Sequence, residues 1–291
     1  MSTVLRAGEV LGSGQAMLDL RDVTVRHIAA PNGAASLRAI NLRIEAGEQL
    51  AIIGPSGAGK TTLLHTLALA LQPSEGEVEL MGKAAWKLSH RQRHAMRRQL
   101  FLSPQTPPLP DRQRVVTAVL AGRLPMWSLW QAIRNLIKPV DPGLAWRALS
   151  RFQLQDKLYA RVDRLSGGER QRCALARMLV SEARLLIVDE PLSALDPNLA
   201  HQTLQVLQQD ASASGATLIC SLHQVDLALA HFRRVIGLRD GQILFDTADG
   251  TPVTEIMIAT LYENRGNATT TGPQSLVNDD VATIPEPVRC F

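Results

Sequence analysis

The sequence predicts an α/β fold built on a mainly parallel sheet, and three observations carry that prediction. An almost continuous apolar run, QLAII at 49–53, stops at a glycine-rich loop and leads into an amphipathic helical pattern. A second run, LLIVD at 185–189, ends in two carboxylates. Past Leu165, strand-like and helix-like segments alternate. Strands apolar at every position are buried on both faces, and their alternation with amphipathic helices calls for a parallel sheet covered on both sides.

Composition is consistent with this. The 291 residues are 45% apolar and 20% charged, with a formal net charge of +4. That excludes a fully disordered chain, collagen and a coiled-coil rod, and leaves enough length for a sizeable core. The mild positive balance is compatible with an anionic ligand or membrane surface and establishes neither. No stretch reaches the roughly 18 uninterrupted apolar residues of a spanning helix. The start, MSTVLRAGEVLGSGQ, lacks the pattern of an export signal. Cys173, Cys220 and Cys290 have no metal-ligand spacing and read as incidental thiols in a reducing compartment. The expected location is the cytoplasm.

Taken in order, residues 1–17 carry Gly8, Gly12 and Gly14 and read as a flexible extension. LDLRDVTVRHI and ASLRAINLRIE alternate with period two, as half-exposed strands do. After the glycine loop, Leu63, Leu64, Leu67, Ala68 and Leu71 recur at helical spacing, with Pro73 and Gly76 as the stop. GEVELMG is a further short strand. From Lys83 to Arg98, six Lys/Arg join His90 and His94, with no acid between Glu79 and Asp111. This is a solvated basic helix face, or else a contact for anionic lipid or a partner protein. Residues 114–164 read as mainly helical, broken at Pro125, Pro139 and Pro142, with Ala145, Ala148, Leu149 and Phe152 as an apolar stripe. They interrupt the alternation and are assigned to a separate lobe. Helices over about 168–181 and 198–212 and the strands LLIVD, TLICSL and RVIGL follow. Residues 266–291 are polar, proline-bearing and aperiodic, and predict a disordered tail.

Gly54-Pro55-Ser56-Gly57-Ala58-Gly59-Lys60-Thr61 fits G-x-x-x-x-G-K-[ST] between a buried strand and a helix. Glycines let successive backbone N–H groups converge on phosphate oxygens, and the positive end of the helix starting near Lys60 adds to the field. Lys60 brings a mobile charge to the β- and γ-phosphates, and the Thr61 hydroxyl can ligate Mg²⁺. Thr62 completes the nucleotide-binding segment. Asp189 and Glu190 fall at the carboxyl end of a buried strand, the edge where open parallel sheets bind ligands. Asp189 is expected to hold Mg²⁺ through water and Glu190 to polarise the water attacking the γ-phosphate. The bland alternative for the two acids is a cap on the next helix.

Leu165-Ser166-Gly167-Gly168-Glu169-Arg170-Gln171-Arg172 resembles the LSGGQ signature of ATP-binding-cassette (ABC) ATPases, and the order of motifs around it agrees. Gln105 in LFLSPQ looks like the Q-loop glutamine, Ser193-Ala194-Leu195-Asp196 like the D-loop, and His223 like the switch histidine that contacts the γ-phosphate. The resemblance covers residues 18–265, with a helical subdomain at about 106–182 and an antiparallel β subdomain beside the parallel core. It implies ATP and Mg²⁺ as cofactors. It also implies catalytic roles for Lys60, Gln105, Glu190 and His223, with Thr61, Gln105 and Asp189 around the metal. In two cassettes packed head to tail, Ser166, Gly167, Gly168, Glu169 and Asp196 would serve the partner's nucleotide. Ser166 has an independent physical reading as the cap of the following helix, whose start can bind an anion. One departure stands out: the aromatic residue expected to stack on adenine aligns with His27.

The resemblance further implies an importer subunit, peripheral on the inner face of the membrane. Its partners would be integral-membrane permease subunits and, indirectly, a solute-binding protein, with no nucleic acid. VLAGRLPMWSLWQAIRNLIKP resembles the helical lobe of the phosphonate-import subgroup, which points to a phosphonate or related phosphorus oxyanion as cargo. On the alternative reading, Trp127 and Trp130 simply pack. Import of another solute, or attachment to a soluble carbon–phosphorus lyase complex, remains the competing function.

Overall fold

The computed structural model describes residues 15–26 and 35–263. The expectations for residues 1–14, His27, Cys290 and the C-terminal tail lie outside the described residues.

Ten strands are described: β1 (Ala16–Val25), β2 (Leu37–Glu45), β3 (Gln49–Ile53), β4 (Glu75–Leu80), β5 (Lys83–Ala84), β6 (Leu100–Ser103), β7 (Leu185–Asp189), β8 (Thr217–Ser221), β9 (Arg234–Arg239) and β10 (Gln242–Asp246). They form two sheets. One is antiparallel with order β2-β1-β4-β5, and the other has order β10-β9-β3-β8-β7-β6. Every pairing in the second sheet is parallel except the hairpin of β9 with β10. β1 begins at Ala16, inside the segment expected to be loose.

The helices are α1 (Lys60–Leu67), α2 (His90–Arg97), α3 (Val115–Leu120), α4 (Leu129–Ile137), α5 (Pro142–Ser150), α6 (Gly167–Leu179), α7 (Pro197–Ser214), α8 (Val225–His231) and α9 (Glu255–Tyr262). Between β6 and β7 the regular elements are all helical, so the interruption read from residues 114–164 is a helical lobe. Three helices start with reciprocal capping boxes, in which Ser89, Ser128 and Ser166 pair with Gln92, Gln131 and Glu169.

The apolar runs behave as their composition requires. Leu50 and Ile52 of β3 enter a core with β1, β2, β4 and α1, whereas Ala51 and Ile53 enter a second core with the helical lobe. β7 divides likewise, Leu185 and Ile187 facing one way and Leu186 and Val188 the other. A strand with period-two side chains and two buried faces must be apolar throughout.

The structure refines several local readings. The first helix ends at Leu67 and not at Pro73, because Leu69 turns the chain with φ +54° and its carbonyl accepts from Arg97. Pro139 and Pro142 do fall where the helical block is interrupted, between α4 and α5, with Pro142 in the first turn of α5, whereas Pro125 lies inside the 3₁₀ turn Ala121–Met126. Trp130 does not pack: it is 75% exposed, while Trp127 rests half-buried on the second core. The basic stretch is only partly a solvated face. Arg93 lies 4.7 Å over the Trp86 ring, and Lys87 pairs with Glu77 at 2.6 Å.

The topology positions the site. β3, β8 and β7 are neighbours, with Ile52 opposite Ser221 and Ser221 opposite Asp189. Their carboxyl ends therefore bring the phosphate loop, His223 and the two acids to one edge. β6 lies beside β7 and adds the segment carrying Gln105.

Candidate active site

The loop from Gly54 to Gly59 joins β3 to α1 with an unusual backbone. Gly54 has φ +154°, and a Cβ there would come within 2.1 Å of the Leu238 carbonyl oxygen. Only glycine fits. Gly59, the residue before α1, is left-handed, and no side chain caps the helix or places an acid in its first turn. The first N–H groups of α1 are thereby left for an anion. Lys60 is buried, and its Nζ donates to the carbonyls of Gly54 at 2.8 Å and Pro55 at 3.2 Å. Burial pulls its pKa below the ordinary lysine range, against the opposing charges of Glu190 and Asp189. Ala58 pins the loop, its carbonyl accepting from Gly241 N–H at 3.0 Å. Thr62 receives the Thr66 hydroxyl on its carbonyl at 2.8 Å.

Thr61 Oγ donates to Asp189 Oδ2 at 2.9 Å, across 128 residues of sequence. The other oxygen of Asp189 accepts from Ser221 Oγ at 2.6 Å. A hydroxyl and a carboxylate brought together beside a phosphate loop are the hard oxygen donors that Mg²⁺ takes, so these residues fit the ion.

Glu190 occupies the centre of the site. One oxygen accepts from Gln105 Nε2 at 2.7 Å and the other meets His223 Nε2 at 2.5 Å. Its backbone is left-handed, with φ +49°. For a residue with a side chain this costs about 1–3 kcal/mol, and such a conformation persists where neighbours enforce it. Here the neighbours are identifiable. Glu190 N–H donates to Ser221 Oγ at 2.9 Å, and its carbonyl accepts from Gln171 Nε2 at 2.7 Å. Ser221 was not singled out in the sequence, and Gln171 was named only as part of the signature segment with no role of its own; their contacts appear only once β7, β8 and α6 are assembled.

The Ser166–Glu169 segment stands apart. Among the described residues, no hydrogen bond or ion pair joins it to the phosphate loop. Ser166 Oγ accepts from Glu169 N–H at 3.2 Å, and the Glu169 carboxylate accepts from Ser166 N–H at 2.8 Å. That N–H, followed by nearby Lys157, holds the Glu169 carboxyl below its usual range. Ser166 and Gly167 remain exposed. Gly168 sits under the Ala194 carbonyl, where a Cβ would approach to 2.7 Å. Asp196 caps α7 through Leu199 N–H at 3.0 Å. The exposed start of α6, already capped by its own Ser166 and Glu169, is thus separate from the uncapped helix start of the phosphate loop.

Residues 37–193 match the family model described as ABC transporter. The chain belongs to the ABC transporter family. It is 54% identical to the "Phosphonates import ATP-binding protein PhnC 2" of Albidiferax ferrireducens, over 93% of this chain and 98% of that one. It is 52% identical to the "Phosphonates import ATP-binding protein PhnC" of a Polaromonas species, over 94% and 99%. Among solved structures, it resembles a dimeric ATP-binding cassette in a post-hydrolysis state with ADP and Pi, at 26% identity and TM-score 0.67, covering 79% of this chain and 97% of that one. An ABC cassette with this fold is an ATPase. No helix among the described residues is long and apolar enough to cross a membrane.

Proposed function

We propose that the chain is the ATP-hydrolysing subunit of an ABC importer for phosphonates or related phosphorus oxyanions. The observation carrying the chemistry is Glu190, gripped by Gln105 and His223 beside the phosphate loop. Phosphoryl transfer to water needs positioning and charge neutralisation more than covalent chemistry. The loop N–H groups and Lys60 bind the β- and γ-phosphates. Glu190 orients the attacking water and accepts its proton. His223 holds the carboxylate and faces the γ-phosphate, while Gln105 reports the state of the site. Thr61, Gln105 and Asp189 would hold Mg²⁺, which when bound neutralises phosphate charge.

Among the described residues, Ser166, Gly167 and Gly168 make no hydrogen bond to their own chain's phosphate loop, and this supports a head-to-tail pair in which each helix start meets the partner's ATP. Asp196 would lie at the same seam, and the solved dimer with ADP and Pi is consistent with it. Glu169 is spent on its own cap, so its expected contribution in trans reduces to holding Ser166. His27 is retained as the proposed adenine contact on the resemblance alone.

The cargo reading rests on the names of the relatives and on the VLAGRL segment. The work is done on separate permease subunits, with the protein cytoplasmic and peripheral on the inner membrane face and a solute-binding protein delivering cargo outside. The exposed apolar face of α4, where Leu129, Trp130, Leu136 and Ile137 are all more than 60% exposed, supports the helical lobe as the permease contact. The test is ATP turnover by the reconstituted transporter with its solute-binding protein. A phosphonate should raise the rate severalfold, and amino acids and metal chelates should not; stimulation by one of those instead would reassign the cargo.

A further inference from the structure

Gln171 lies one turn into the helix that Ser166 caps, 5% exposed, and nothing in the hydrolytic chemistry requires it. Both ends of its amide are committed. Nε2 donates to the Glu190 carbonyl at 2.7 Å, and Oε1 accepts from Ser193 Oγ at 3.4 Å. It therefore touches three segments at once: the start of α6, the residue carrying the reactive carboxylate, and the loop leading to Asp196. On the far side of Glu190, Ser221 holds the N–H. The left-handed peptide of Glu190 is pinned from two directions, one belonging to the sheet and the other to α6.

We infer that Gln171 is a positioning residue for hydrolysis: its amide fixes the main chain of Glu190, so the aim of that carboxylate depends on where the Ser166 helix sits. The inference rests on the assignment of Glu190 as the group that activates water. A carbonyl held by a buried amide is a sharp constraint, because the donor cannot be exchanged for water without opening the core. A shift of α6 as its exposed start meets the partner's phosphate would pass through Gln171 to Glu190 of the same chain. Ser193 extends the link toward Asp196.

The experiment compares Gln171→Met, which keeps length and bulk but loses both hydrogen bonds, with Gln171→Glu, which keeps the acceptor for Ser193 and, assayed at a pH where the buried carboxyl is ionised, loses the donor to Glu190. Steady-state ATP hydrolysis by the assembled transporter, ATP binding to the purified chain and thermal unfolding are measured on both, with Glu190→Gln as reference. The inference expects kcat to fall tenfold or more in each variant, KM and ATP affinity to stay within twofold, and Tm not to track the loss. It is overturned if kcat persists while KM rises, or if activity falls only in proportion to lost folded protein. Should Gln171→Met fail to fold, Gln171→Glu decides alone: wild-type kcat would rule out the donor. If Glu190→Gln itself hydrolyses at the wild-type rate, it is the assignment of Glu190 that fails; a dead Glu190→Gln beside an active Gln171→Glu removes only the inference about Gln171.

Discussion

His223 Nε2 lies 2.5 Å from Glu190 Oε1, while Gln105 occupies the other oxygen of the same carboxylate at 2.7 Å. The contacts come from opposite sides of β7: His223 follows β8, and Gln105 follows β6. Glu190 is thus oriented from both neighbouring strands of the sheet. Glu190→Gln keeps the shape and loses the base. It should bind ATP normally, accumulate an ATP-dependent dimer and lose about 10²–10⁴-fold in kcat, as read by steady-state turnover and size-exclusion chromatography.

Ser221 is buried between the two acids, donating to Asp189 and accepting from Glu190 N–H. Ser221→Ala leaves a buried N–H and a buried carboxylate oxygen each short of a partner, a loss of about 1–3 kcal/mol for such groups. The expected outcome is a lower midpoint in urea together with a fall in kcat of at least tenfold, since the Glu190 backbone is freed on one side.

Away from the site, buried Arg234 joins the first residues of β9 to Glu48 at 2.9 Å and to Asp246 at 2.6 Å. Burial works against its charge, and the hydrogen bonds it donates to Asp246 and Glu48 more than restore it. Arg234→Leu leaves two carboxylates without their common cation and should destabilise the fold by about 3–5 kcal/mol, measured by denaturant unfolding.

On α4, an apolar face stands in solvent with Arg134 and Lys138 beside it, and no acid occurs between Asp111 and Asp141. Trp130→Asp places a charge in the middle of that face. It should reduce co-purification with the permease severalfold, scored by pull-down of the tagged permease; full retention would move the contact elsewhere on the lobe.

Much of this was legible in the sequence where one physical requirement dictates a run of residues. QLAII and LLIVD had to be apolar throughout because both of their faces are buried, and the phosphate loop follows from glycine and lysine at fixed spacing. The β9–β10 hairpin was also legible: Asp240-Gly241 is a hairpin signal, and both residues have positive φ. No strand was read over residues 242–246 all the same. The early end of α1 was not legible, since Leu69 turns left-handed with no glycine or proline there to signal it, and its carbonyl meets Arg97 of another helix. Nor was the exposure of Trp130, because tryptophans in a helical lobe ordinarily pack. Ser221 shows the deeper limit, since a single polar residue in a strand acquires its meaning from a neighbour that only the assembled sheet supplies, and Gln171, though inside the signature segment, gains its contact with Glu190 only when α6 packs beside β7.

The central claim is that hydrolysis needs a second copy to supply Ser166, Gly167 and Gly168. The most direct measurement is ATP turnover per chain as purified protein is diluted at saturating ATP. The account predicts a specific rate that rises with protein concentration in the dilute range and levels off as pairs saturate. A specific rate that holds constant on dilution, in samples shown to be monomeric with ATP bound, would contradict it.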